Sequence, residues 1–304
     1  MIDVLGTLAL PLLPGPLSSC LVDADAKEVT DHCQLIANSV SRAHGATAPL
    51  VAALLPRLVE RAHVLLTLDR ERRAAGASGT TASFAGAGLS PEEARDGLEM
   101  EKSIIGLGAA LASSNILPEW ITSPDAPLLG PLISMLCSAA ASHAEVLVRK
   151  TALAALTRTL QQATGGPPST PAAAAASPPH DASGRIAALQ DLAVLRVGAE
   201  CCLAPLLQRE PQYEPRDANG VALLSEVAAA HLLLAQRWGA PWLAQLQASG
   251  FIDSLTAAQG ADAVNLYLGQ LRAGDSKAAR ASLRRYLETF RGNGLAAPVF
   301  RPPP

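Results

Sequence analysis

Segment after segment of this sequence repeats apolar residues every three or four positions, and few stretches alternate them at every second one. That period marks helices burying one stripe rather than strands burying one face. Composition tightens the constraint. Fifty-nine Ala and forty-eight Leu make up about a third of the 304 residues, while Phe, Trp and Tyr together are only 3%. Ala and Leu are strong helix formers, and the aromatic residues that favour strands are nearly missing. An all-α fold is expected. A hydrophobic content of 49% excludes a disordered chain, and five cysteines are too few for a disulfide scaffold.

The periodic stretches predict helices over 27–43, 48–69, 91–113, 126–142, 145–163, 185–209, 217–238, 256–271 and 277–291. Val29, Cys33, Ile36, Ala37 and Val40 share one face of the first, and Leu50, Leu54, Leu58, Leu65 and Leu68 one face of the second. Ser90-Pro91-Glu92-Glu93 reads as a helix start: a cap, a proline at the first helical position, then carboxylates at the positive end of the dipole. Asp217, and Asp275 or Ser276, are expected to cap two later helices. The Gly/Ala/Ser/Thr-rich run 74–89 reads as a flexible insertion, and 165–184, with five prolines, as a Pro/Ala-rich disordered loop. Helix pairs recurring at about 40 residues predict an α-solenoid of antiparallel, HEAT-like pairs over 1–304. A compact helical bundle satisfies the same pattern.

Motifs for catalysis are missing. Gly106-Leu107-Gly108 is a fragment of a nucleotide-binding pattern that follows no strand, and close helix packing explains it. His143-Ala144-Glu145 matches half of a zinc deaminase signature, but no PCxxC follows. His32, His44, His63 and His231 have no partner at ligand spacing, and His180 sits in the proline-rich loop. The expectation is no enzyme, no cofactor and no metal. The cysteines read as buried small hydrophobes in a reducing compartment, and Trp120, Trp238 and Trp242 as packing anchors.

The start, MIDVLGTLALPLLPGPL, has no basic n-region and fits neither a signal nor a transit peptide. Residues 126–144 are an uncharged window long enough to suggest a membrane span, but Pro, Ser, Gly and His interrupt it, so no membrane partner is expected.

A net charge of −3 conceals an asymmetry. Residues 1–183 carry 12 basic and 17 acidic side chains, whereas 272–301 carry seven Arg or Lys against Asp275 and Glu288. Glu92, Glu93, Asp96, Glu99 and Glu101 crowd one helix, as a solvated face or a surface for a basic partner. On the last helix Lys277, Arg280, Arg284 and Arg291 fall on one stripe with Arg285 beside it, next to an apolar stripe of Ala279, Leu283, Tyr286, Leu287 and Phe290. Planar guanidinium forks on such a stripe suit phosphates. A solvated face of a terminal repeat is the alternative.

The runs LVRKTALAALTRTL (147–160), CCLAPLLQ (201–208) and NGVALLSEVAAAHLLLAQRWGAPWLAQLQ (219–247), with the ending 251–291, resemble the C-terminal repeats of the exportin-T family of importin-β-like (karyopherin) receptors. Residues 27–69 and 98–125 match more loosely. The resemblance implies a HEAT superhelix that wraps tRNA together with Ran-GTP, passes nuclear pore components and shuttles between nucleus and cytoplasm. It also implies that this chain corresponds to a C-terminal portion, with most Ran contact lying in repeats that have no counterpart here. Such recognition is of tRNA shape and backbone. On that reading Lys277, Arg280, Arg284, Arg285 and Arg291 are the candidate RNA-binding residues, followed by Arg149, Lys150 and Arg158, though no family motif fixes any of them. The other reading is a HEAT or armadillo-like protein–protein scaffold that binds no RNA.

Overall fold

The computed structural model describes residues 10, 12–77, 90–122, 129–165, 182–208 and 214–292. The chain divides into two compact units, 1–135 and 136–304. The first holds α1 (Pro14–Cys20), α2 (Ala26–Ala43), α3 (Ala48–Ala77), α4 (Pro91–Ser113) and α5 (Ile116–Trp120), and α6 (Gly130–Ser142) crosses the division. The second continues with α7 (Val146–Ala163), α8 (Ala182–Ala188), a π-helical segment Asp191–Leu203, α9 (Ala204–Leu207), α10 (Ala218–Ala248), α11 (Phe251–Gln259), α12 (Ala261–Ala273) and α13 (Ser276–Gly292). No strand occurs among the described residues. The fold is all-α and of the solenoid kind, with helices packed on their neighbours in sequence: α2, α3 and α4 on one another, and α10 to α13 likewise.

Capping residues set the helix starts. Ser90 and Glu93 exchange backbone N–H bonds at 2.8 and 3.1 Å, the capping box expected for α4. Asp25 and Glu28 do the same for α2, which the periodicity alone did not mark. The carboxyl of Glu93 is held below its ordinary value by its bonds to Ser90. Asp217 accepts from Asn219 N, and Asp275 accepts from Ala278 N at 2.9 Å, so Asp275 rather than Ser276 caps α13.

Core stripes follow the sequence with one drift. Val29, Cys33, Ile36 and Val40 are buried on α2. On α3 the seam starts at Leu50, Leu54 and Leu58 but continues through Ala62 and Leu66, leaving Leu65 half-buried and Leu68 exposed. Each step of four advances about 40° round the helix, so this buried seam winds away from the line that Leu50 and Leu68 share. Of Gly106-Leu107-Gly108, Leu107 and Gly108 are buried in the packed face, but Gly106 faces solvent with nothing within 4 Å of a Cβ, so packing does not explain that glycine.

Three further expectations change. The helix of 48–69 runs on to Ala77, into the proposed insertion, whose residues 78–89 lie outside the described set, as do 166–181 of the proline-rich loop and His180 with them. The single helix of 185–209 is three pieces. Pro205 has no N–H to offer, so the wide π ladder cannot continue past it. The single helix of 256–271 breaks at Gly260, whose φ of 87° lies in the left-handed region that glycine adopts without strain.

Helix α10 is kinked at Trp238 and Gly239, just before Pro241, where the earlier expectation ended it. It is long and apolar enough to cross a membrane, yet 56% of its most apolar window is buried within the protein. The window that invited a span at 126–144 contains α6, whose 13 residues fall short of the roughly 20 a span needs.

Candidate functional site

Helix α13 lies on α10, α11 and α12. Its predicted apolar stripe is the one it buries: Ala279, Leu283, Tyr286 and Leu287 are inaccessible, and Phe290 is half-buried and stacked on Tyr286 with ring centroids 5.3 Å apart. The Tyr286 hydroxyl shares a hydrogen bond with Ser254 Oγ at 2.7 Å. Beneath it Phe251, Tyr267, Trp242 and His231 pack edge to face. An aromatic-poor chain thus places half of its ten Phe, Trp and Tyr rings in one cluster that fixes the helix.

The opposite side of α13 carries the basic residues. Lys277, Arg284 and Arg285 are exposed, and Arg280 is half-buried and donates Nη1 to Ser225 Oγ at 2.9 Å. Arg291 lies on the last turn, and its side chain is outside the described residues. The pattern reading missed two members of this surface. Glu288 falls on the same stripe, eleven residues after Lys277, and its Oε1 pairs with Arg284 Nε at 3.4 Å and Arg216 Nε at 3.2 Å. Helical spacing could have shown Glu288. Arg216 comes from the turn before α10, and only folding brings it here.

Magnitudes separate the two sides. Burying Leu283 and Leu287 is worth about 1.5–3 kcal/mol each. An exposed ion pair contributes about 0.2–1 kcal/mol. The apolar stripe therefore sets the position of α13, and the charged stripe is available for other use.

The candidates on α7 do not share a face. Arg149 is only 1% exposed, with Nε donating to Ala140 O at 3.3 Å and Nη2 to Ala141 O at 2.9 Å. Its guanidinium closes the C-terminal carbonyls of α6, which removes Arg149 from the candidate surface. No sequence period signals such a use, because the carbonyls belong to a different helix. Lys150 is half-buried near Glu226, whose carboxyl is pushed up by burial, with the Lys150 charge acting the other way. Arg158 is exposed.

Among the described residues, no group of three His, Cys, Asp or Glu is placed to hold a metal. His143 Nδ1 accepts from Glu145 N at 2.9 Å, a helix-start contact. Cys33, Cys137, Cys201 and Cys202 are buried thiols and Cys20 is exposed. Trp242 is fully buried, and Trp238 donates Nε1 to Ile186 O at 2.8 Å.

No protein-family model matches the chain, and no solved structure matches it. Two curated proteins do. Exportin-T of Arabidopsis thaliana is 20% identical over 301 residues, covering 99% of this chain and 27% of its own length. Exportin-T of Oryza sativa subsp. japonica is 20% identical over 302 residues, covering 99% of this chain and 28% of its own. The chain spans about a quarter of the length of these relatives. What it is similar to, distantly but from end to end, is an exportin, a kind of transport receptor rather than an enzyme.

Proposed function

We propose that this chain is a tRNA-binding segment of a nuclear export receptor, touching the RNA backbone through α13. The observation that carries the reading is the exposed basic stripe of Lys277, Arg284 and Arg285 on a helix whose other face is anchored by buried aromatic and leucine side chains. Similarity to two proteins named Exportin-T supports this choice of partner. On this reading tRNA is the cargo, Ran-GTP acts mainly through repeats outside this chain, nuclear pore components are the transit partners, and the receptor shuttles between nucleus and cytoplasm. Arg158 and Lys150 are secondary contacts.

Phosphate contacts by Lys and Arg release counterions, so affinity falls with salt in proportion to their number. The test is a filter-binding titration of tRNA against the 304-residue chain over a range of salt, with and without Ran-GTP. Lys277→Glu combined with Arg285→Glu is expected to weaken binding and reduce the salt slope by roughly two. Absence of tRNA binding at low salt, or an unchanged slope, would overturn the reading and leave a protein–protein scaffold.

A further inference from the structure

We propose that Arg216 and Arg284 form a two-arginine site for one backbone phosphate of RNA, and that Glu288 is the internal anion occupying it when no RNA is bound. This rests on the RNA-binding reading above and deepens it. Both guanidiniums turn Nε toward a single oxygen, Glu288 Oε1, at 3.2 and 3.4 Å. Those two distances keep the Nε atoms within 6.6 Å of each other, a gap that one phosphate bridges with two of its oxygens.

Exposure gives the site a direction. The side chains of Arg216 and Arg284 are 72% and 54% exposed and that of Glu288 only 28%, so an anion arriving from solvent meets the guanidiniums before the carboxylate. Each arginine is engaged through Nε, and its terminal nitrogens make no hydrogen bond among the described residues. Those nitrogens are the fork that binds phosphate. The carboxylate holds two flexible side chains together before binding and so lowers the entropy lost on binding. Once a phosphate is seated, the same carboxylate repels it. Glu288 both prepares the site and limits its affinity, a property that suits a receptor that must release its cargo.

The experiment uses the full 304-residue chain and tRNA, by filter binding across salt, with thermal unfolding to check that each variant is folded. Arg216→Ala is expected to weaken binding about three- to tenfold and to lower the salt slope by about one. Glu288→Gln is expected to tighten binding about three- to tenfold. The tightening should vanish in an Arg216→Ala, Arg284→Ala background, because it acts through those two side chains. Asp262→Asn removes an exposed carboxylate elsewhere in the same unit and measures the effect of charge alone. The proposal fails if Glu288→Gln matches Asp262→Asn, if its effect persists without the two arginines, or if Arg216→Ala changes nothing. Wild-type chain that binds no tRNA at any salt overturns the RNA-binding reading itself, and this one with it.

Discussion

His231 Nδ1 and the Tyr267 hydroxyl meet at 2.5 Å in a site closed to solvent, under the aromatic rings that support α13. Trp242 and Phe251 set their rings at steep angles to the imidazole. Burial pushes the imidazole down from 6.5 to about 3 and the phenol well above its ordinary value, so both are neutral when folded. Unfolded, the histidine takes its proton near its ordinary value. Between about 6.5 and 3 the unfolded chain therefore binds more protons, and stability drains as pH falls, by up to about 1.4 kcal/mol per unit. Urea midpoints should be flat above that window and fall within it. His231→Phe should flatten the acid limb while costing about 1–3 kcal/mol at neutral pH for the orphaned phenol. An acid limb equally steep in the variant would refute the assignment.

Two glycines should respond oppositely to alanine. A Cβ at Gly198 in the π segment would lie 2.5 Å from Trp242 Cζ3 and 3.1 Å from Leu234 Cδ1. Gly198→Ala is expected to cost about 1–3 kcal/mol by overpacking. Gly106→Ala, open to solvent within α4, should gain roughly 0.5–1 kcal/mol by lowering the unfolded chain's entropy. Chemical denaturation measures both, and equal signs would contradict the packing described.

The difference between these glycines also shows how far the sequence could be read. Helix periodicity located the faces of α2 and α13 and the capping residues of α4, α10 and α13, because those depend on neighbours within one turn or two. It missed the π winding before Pro205, and it missed the packing of Gly198 on Trp242 and the pairing of Arg216 with Glu288, which are set by groups distant in sequence. Gly260 was legible as a glycine but not as a break, since the surrounding residues favour helix on both sides.

Arg149 and Arg158 share a helix and should behave as different residue types. Arg149→Met leaves the Ala140 and Ala141 carbonyls without their charged donor, a loss of about 1.5–3 kcal/mol per bond. Arg149→Lys should rescue only part, because an ammonium lacks the planar fork. Arg158→Met, at an exposed position, should stay within about 0.5 kcal/mol. Thermal melts of the three variants decide it, and a neutral Arg149→Met would show the buried bonds to be dispensable.

Thiol chemistry offers a test of both units. Cys20 is exposed, whereas Cys33 is buried with its thiol pushed up to about 12, and burial also raises Cys202. Brief alkylation of the folded chain should modify Cys20 and spare Cys33, Cys137, Cys201 and Cys202 until denaturant is added. Peptide mass spectrometry reads the pattern, and rapid labelling of Cys33 or Cys202 would be incompatible with the packing.

The crowding of aromatic rings around His231 has an optical consequence. Trp238 and Trp242 are both sealed in the second unit, while Trp120 alone represents the first, and it is half-buried. Tryptophan emission therefore weighs the two halves unequally: a blue-shifted signal reports the ground on which α13 rests, and a smaller, redder one reports the first unit. Replacing Trp120 with Phe leaves a chain whose tryptophan emission comes from α10, the helix on which α13 packs, so melting of the second unit can be watched by itself.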